Sequence, residues 1–143
     1  MGESDSNRKS ILYEDQIEVR FSELDPYGHL NAQHYLDYVL TSRWSFIRKR
    51  FGLTAKDFVK KGLGFFLNHF SIDFFKPISE GQTVTVQSRA TDVKGEKILV
   101  EYTLSVPSLD LLFARGRLEL TTINLVSLKP EPLPLWAQSY LFE

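Results

Sequence analysis

Residues 20–39 read RFSELDPYGHLNAQHYLDYV. Asp25-Pro26-Tyr27-Gly28 has the residue order of a type I β-turn, with Asp first, Pro second and Gly fourth. Asn31 then stands where a helix N-cap belongs, its side chain free to bond the N–H of Gln33 or His34. From Asn31 to about Phe51, apolar residues recur at helical spacing: Tyr35, Leu36, Val39, Leu40, Phe46 and Ile47, with Arg43 in the same series. Tyr38 and Trp44 widen the stripe, which predicts a helix buried on more than one side. Ahead of the turn, Ile11 to Phe21 reads as a first strand.

Working outward, Gly52 is placed to end the helix. Thr54 followed by Asp57 resembles a capping arrangement for a short second helix over about Ala55 to Lys61. Four strand segments follow. GLGFFLNHFSIDFF runs to Lys76-Pro77, and TVTVQSRATDV stops at a Lys94-Gly95 turn. KILVEYTLSV puts Ile98, Val100, Tyr102, Leu104 and Val106 on one face at period two. LLFARGRLELTTI alternates Leu112, Ala114, Gly116, Leu118 and Leu120 against Phe113, Arg115, Arg117 and Glu119. This order, with the four strands as an antiparallel meander, predicts an α+β domain with one helix packed on one sheet.

Residues 1–10 read as a disordered polar tail, 11–126 as the domain, and 127–143 as a Pro-rich arm packed on it. Pro130, Pro132 and Pro134 keep that arm out of any central strand, so it reads as an extended surface segment. Residues 65–75 carry apolar groups on both strand faces. Left at an open sheet edge they would invite aggregation, which predicts a homodimer or a larger even assembly such as a tetramer.

Composition narrows the function. The 143 residues fit one domain. Lys plus Arg is 17 and Asp plus Glu is 18, a formal net charge of -1. That balance argues against nucleic acid as a partner. With no cysteine, thiolate catalysis, disulfides and Cys-based zinc sites are excluded. His29 and His34 are poorly spaced for ligands on one helix face, so no metal is expected, and no cofactor. No apolar run approaches the ~20 residues that span a bilayer, so no membrane partner is expected and a cytoplasmic location is the default. No nucleophile elbow, P-loop or dinucleotide fingerprint occurs.

The turn and the cap explain Asp25 and Asn31 without any catalysis, but neither requires His29. The same local geometry also supports chemistry. N–H groups in the first helical turn lack intrahelical partners, and that of Ala32 is left accessible by its methyl side chain. A helix start carries roughly +0.5 of an elementary charge, suited to a developing oxyanion. Asp25 supplies a carboxylate able to attack or to deprotonate water. A thioester fits best, because a thiol of pKa ~8.5 leaves with little help from a general acid.

RFSELDPYGHLNAQHYLDYV resembles the opening signature of hotdog-fold thioesterases of the 4-hydroxybenzoyl-CoA and acyl-CoA thioesterase type: a strand, Asp-x-x-Gly-His-x-Asn, then Tyr on a long helix. FFLNHFSIDFFKPISEGQTVTVQSRATDV and LFARGRLELTTIN resemble later strands of the same family. The resemblance implies a long central helix wrapped by a curved five-stranded antiparallel sheet, dimerising edge to edge, with active sites at the subunit interface. It implies an acyl-CoA or acyl-carrier-protein substrate. It assigns Asp25 as the catalytic carboxylate, the Ala32 backbone N–H as the oxyanion donor, Tyr35 as the helix aromatic that fixes the site, and His29 and Asn31 as flanking polar residues. Many relatives carry a polar or aromatic side chain where this chain has Ala32.

Other residues admit two readings. Asn68 and His69 are either strand residues satisfied locally or part of the partner subunit's acyl pocket. Arg43, Arg48, Lys49 and Arg50, with Lys56, Lys60 and Lys61, are either a solvated basic face or an attractor for coenzyme A phosphates or an acidic carrier protein. Arg115 and Arg117 are similar candidates. Two rival functions stand beside the hydrolase: a non-catalytic acyl-CoA or acyl-carrier-protein binding module, and a dehydratase of hydroxyacyl or enoyl thioesters using Asp25 with His29.

Overall fold

The computed structural model describes residues 8–143. Strand β1 (Tyr13–Glu18) leads through a 3-10 turn at Phe21–Glu23 to α1 (His34–Phe51) and α2 (Ala55–Lys60). Then come β2 (Leu63–Phe74), β3 (Thr83–Lys94), β4 (Lys97–Val106) and β5 (Leu111–Asn124). A two-residue β6 (Lys129–Pro130) and a one-turn α3 (Leu135–Gln138) follow. Most of the expected polar tail lies outside the described residues. Among those described, Arg8 Nη1 donates to Gln138 Oε1 at 2.7 Å and Ser10 bridges to Phe142.

The local signals hold. Gly52 takes the left-handed conformation at φ 70° and donates to the Arg48 carbonyl at 2.9 Å, as a C-terminal cap requires. Asp57 Oδ2 accepts the Thr54 N–H at 2.7 Å at the start of α2. β3 and β4 form a hairpin through Gly95, whose φ is 59°.

The strand order is β1-β3-β4-β5-β2, antiparallel throughout, with β6 paired to β5. The expected four-strand meander is therefore corrected: only β3, β4 and β5 are consecutive neighbours. β2 crosses to the far side and pairs with β5 from Leu63↔Asn124 to Phe74↔Ala114, and β1 takes the place beside β3. Tight turns force β3–β4 and β4–β5 to pair, whereas the connection over residues 75–82 is long enough to cross. The five-stranded expectation also gains β6, whose Pro130 sits at the end of β5 beyond the start of β4, where no ladder donor is lost to a central strand.

The sheet curls around α1. Five strands spaced ~4.8 Å apart would span ~19 Å if flat, too far for one helix to touch both edges. Yet α1 stacks Phe46 on Tyr13 of β1 at 4.5 Å and sets Tyr35 edge-on to Phe74 of β2 at 4.9 Å. Ile98, Val100, Tyr102, Leu104 and Val106 are all buried on the inner face, as their alternation predicts. On β5 the alternation fails locally: Phe113 and Ala114 are both buried, because the β4–β5 register shifts at Leu104/Ser105.

Two surface readings change. In the C-terminal segment Leu133, Ala137, Leu141 and Phe142 are buried, and the Ile11 N–H donates to the Leu141 carbonyl at 2.8 Å. The prolines stop a ladder but leave apolar residues free to pack. Arg43 is likewise buried rather than part of a basic face, while Arg48, Lys49 and Arg50 are exposed. Among the described residues no helix is long and apolar enough to cross a membrane.

Candidate active site

The segment between β1 and α1 is held mainly by its own backbone. The Gly28 N–H donates to the Asp25 carbonyl at 3.1 Å, closing the expected turn, with Gly28 at φ 81°. Asp25 N–H donates to His29 O at 2.7 Å, Asn31 N–H to Glu23 O at 2.9 Å, and Leu30 N–H to Ile78 O at 2.7 Å. The last bond, with a His29–Ser79 bridge, docks the loop on the β2–β3 crossover.

Below the loop, Glu23 is buried and accepts from three donors: the Tyr38 hydroxyl at 2.7 Å, the Arg20 backbone N–H at 3.0 Å and Arg20 Nη2 at 3.3 Å. Desolvation pushes the Glu23 carboxyl pKa up, but the bonds from Tyr38 and Arg20 outweigh it and hold the group below the ordinary glutamate range. The Tyr38 phenol is raised well above its usual value, first by burial and then by its bond to Glu23. Glu23, His34 and Asp37 bring ligand atoms within 4.8 Å of one another, but both Glu23 oxygens are already engaged.

Asp25 uses one oxygen for structure. Oδ1 accepts the N–H groups of Tyr27 at 2.9 Å and His29 at 3.0 Å. Among the described residues Oδ2 has no hydrogen-bond donor. The histidine bonds Asp25 through its backbone, so no Asp25–imidazole pair forms among the described residues.

Helix α1 begins at His34, not at Asn31. The cap reading still holds in part, since Asn31 Oδ1 accepts the Gln33 N–H at 3.2 Å. Tight bonds from His34 N–H to Asn31 O at 3.0 Å and from Tyr35 N–H to Ala32 O at 3.3 Å carry the chain into the helix. The Ala32 N–H has no acceptor among the described residues, as expected of a donor ahead of the first helical turn.

Asp25, His29, Ala32 and Tyr35 line one cavity of about 330 Å³. The Tyr35 phenol is raised chiefly by burial, with the negative charge of Asp25 adding to it. The opposite wall is the end of β2 and its continuation, Phe74, Phe75, Lys76 and Pro77. The Phe75 and Lys76 N–H groups hold that wall to the Phe113 carbonyl at 2.9 and 3.2 Å. Sequence reasoning took the aromatic stretch Phe65 to Phe75 first as core and interface and only second as the wall of an apolar acyl tunnel, and it gave Lys76 and Pro77 no part in the site. It also missed the Glu23–Tyr38 anchor, which no local pattern announces.

The remaining candidates lie elsewhere. Asn31 points its side chain into its own turn. Asn68 occupies the β2 bulge and bonds Glu119, while Thr121 Oγ1 donates to Asn68 Oδ1 at 2.8 Å. His69 is exposed beside it on the same edge strand.

Comparison with known proteins agrees with this architecture. A profile of the Thioesterase-like superfamily matches residues 19–141. The Bacillus subtilis (strain 168) protein named "Putative acyl-CoA thioesterase YneP" is 30% identical over 96 residues, 67% of this chain and 69% of that protein. The fold is shared with Slr0204, a 1,4-dihydroxy-2-naphthoyl-CoA thioesterase from Synechocystis, at TM-score 0.81 and 23% identity, covering 91% of this chain and 95% of that one. It is shared too with SAV2348 from Staphylococcus aureus, solved in complex with CoA, at TM-score 0.80 and 16% identity over 92% and 82%.

Proposed function

This chain belongs to the thioesterase-like superfamily and is a thioester hydrolase; from that premise we propose that it hydrolyses an acyl-CoA, with Asp25 as the catalytic carboxylate and the Ala32 N–H as the oxyanion donor. The observation that carries this reading is the shared cavity: a carboxylate with one oxygen uncommitted, and a backbone N–H with no acceptor, among the described residues, line the same space.

The thioester carbonyl oxygen sits at the Ala32 N–H, which together with the start of α1 stabilises charge as it develops there. Asp25 Oδ2 acts on the carbonyl carbon, directly or by taking a proton from water as that water adds. Collapse of the tetrahedral species breaks the C–S bond. On the general-base route the thiolate receives the proton taken from water; on the direct route the thiolate leaves an acyl–Asp25 anhydride, which water hydrolyses, freeing the acid, regenerating the carboxylate and supplying the proton that the thiolate takes up. Oδ1, held by Tyr27 and His29, fixes the carboxylate while Oδ2 reacts. Water labelled with ¹⁸O in a single turnover tests the direct route: label in Asp25 requires an anhydride opened by water at the Asp25 carboxyl carbon, and general-base action leaves Asp25 unlabelled.

The acyl-CoA assignment draws on YneP and on the CoA complex of SAV2348. Lys76 in the cavity wall, and Arg115 over the Phe75 ring at 5.4 Å, supply positive charge for coenzyme A phosphates. Because the cavity is walled by an edge strand, a second subunit paired along β2 completes it, with Asn68 and His69 turned toward the partner's cavity. A homodimer or tetramer is the active unit.

Asp25→Asn tests the assignment, since the amide oxygen still accepts from Tyr27 and His29. Thiol release from a panel of acyl-CoAs drops at least ~100-fold while the melting temperature stays near wild type. Near-normal release by the variant would remove Asp25 from the mechanism.

A further inference from the structure

Arg43 lies in the middle of α1, 7% exposed, and its charge meets no carboxylate among the described residues. Nη1 donates to Ser88 Oγ at 2.8 Å, and the guanidinium carbon sits 4.3 Å from the centre of the Tyr13 ring. A guanidinium carries five N–H donors, so these neighbours leave most of them unused. Taking a cation out of water without an anion is costly, and burial accordingly lowers the Arg43 pKa.

Beside Arg43 is a second cavity of about 390 Å³. Leu40, Arg43, Trp44 and Ile47, at helical spacing on one face of α1, form one wall. Phe65 of β2 and Leu133 of the C-terminal segment stand among the residues that close it. None of its lining residues lines the Asp25 cavity. Its volume is in the range of small-molecule sites. Its chemistry is that of a hydrocarbon chamber with a single buried cation.

We propose that this cavity binds a free apolar carboxylic acid, the carboxylate on the Arg43 guanidinium and the hydrocarbon between α1 and β2. A carboxylate matches the planar fork of the guanidinium. An ester or alcohol of the same length fills the chamber but leaves the charge uncompensated. The site is separate from the Asp25 cavity and its occupancy does not depend on hydrolysis.

The chain has two tryptophans, and both report on this chamber. Trp44 lines it, and Trp136 stacks on Phe58 of its wall with ring centres 6.1 Å apart. Decanoate and methyl decanoate are titrated into the full chain below their micellar concentrations, with tryptophan emission as the readout. Decanoate gives a saturable change, and the ester binds at least ~10-fold more weakly, the scale of a hydrogen bond to a charged group. Arg43→Met abolishes the preference for the acid, while Asp25→Asn binds decanoate as the wild type does, which separates this site from the hydrolytic one. Equal binding of acid and ester by the wild-type chain overturns the proposal, as does the absence of a saturable decanoate response. The wild-type comparison needs no variant to fold. An acid preference surviving in Arg43→Met overturns it too.

Discussion

Tyr38, one turn into α1, donates its hydroxyl to Glu23 Oε1 at 2.7 Å and so ties the helix to the loop that carries Asp25. Tyr38→Phe leaves a buried carboxylate with Arg20 as its remaining partner. Unfolding free energy falls by ~1–3 kcal/mol, and kcat falls more than KM rises, because Tyr38 positions the loop without touching substrate. Denaturant unfolding together with steady-state kinetics reads both.

The same anchor sets an acid limit. Glu23 has a depressed pKa in the fold, so the folded chain holds this group ionised where the unfolded chain would protonate it. Its contribution to stability is complete above the unfolded pKa and is lost as pH falls through the folded one. Urea unfolding from neutral pH to about 3 shows the decline, and Glu23→Gln flattens that limb while lowering stability at neutral pH.

Ala32→Pro deletes a single N–H. Ala32 lies in the turn just ahead of His34, and its N–H bonds nothing among the described residues, so proline there removes no structural hydrogen bond. The variant folds and loses ~10²–10³ in kcat, the scale for removal of an oxyanion-hole donor. An unaltered kcat in a folded variant would move the oxyanion site elsewhere.

Gly116 on β5 lies where the Tyr102 side chain crosses to donate to the Ser71 carbonyl of β2 at 2.7 Å. A methyl group at position 116 would run into both that carbonyl oxygen and the Tyr102 hydroxyl. Gly116→Ala therefore destabilises by ~1–3 kcal/mol, the cost of an overpacked core, and thermal melts register it.

On the edge strand β2, Phe66 is 61% exposed. If β2 pairs with its copy in a second subunit, Phe66→Lys shifts the solution mass toward the monomer, since a charge on an edge strand opposes pairing. Analytical ultracentrifugation of both proteins measures this, and thiol release falls with the loss of the assembly.

Features governed by neighbouring residues were legible in the sequence: the Asp25–Gly28 turn, the Asn31 side-chain bond, the Gly52 stop, the Thr54–Asp57 cap and the face of β4. Each depends on contacts within a few positions. The place of β2 beside β5 was not legible, because nothing near residues 63–74 records which distant strand will satisfy its ladder. Arg43 fell within the helical apolar series yet was grouped with the basic surface; charge type misled where spacing was right. The prolines after Leu128 signalled an interrupted ladder, but the arm's sequence did not show which of its residues, Leu133, Ala137 and Leu141 among them, turn inward. Of the candidate site, the turn was readable and the helix start was placed three residues early, whereas the wall from Phe74 to Pro77 depends on the crossover.

The loop from Leu24 to Gln33 draws its shape from main-chain bonds to Glu23, His29 and Ile78 and from the Asp25 and Asn31 side chains, which accept from the loop's own N–H groups. Tyr27, 83% exposed, supports nothing beneath it. Such a position can be diversified in a mutant library with little structural penalty, while the scaffold around Asp25 stays intact.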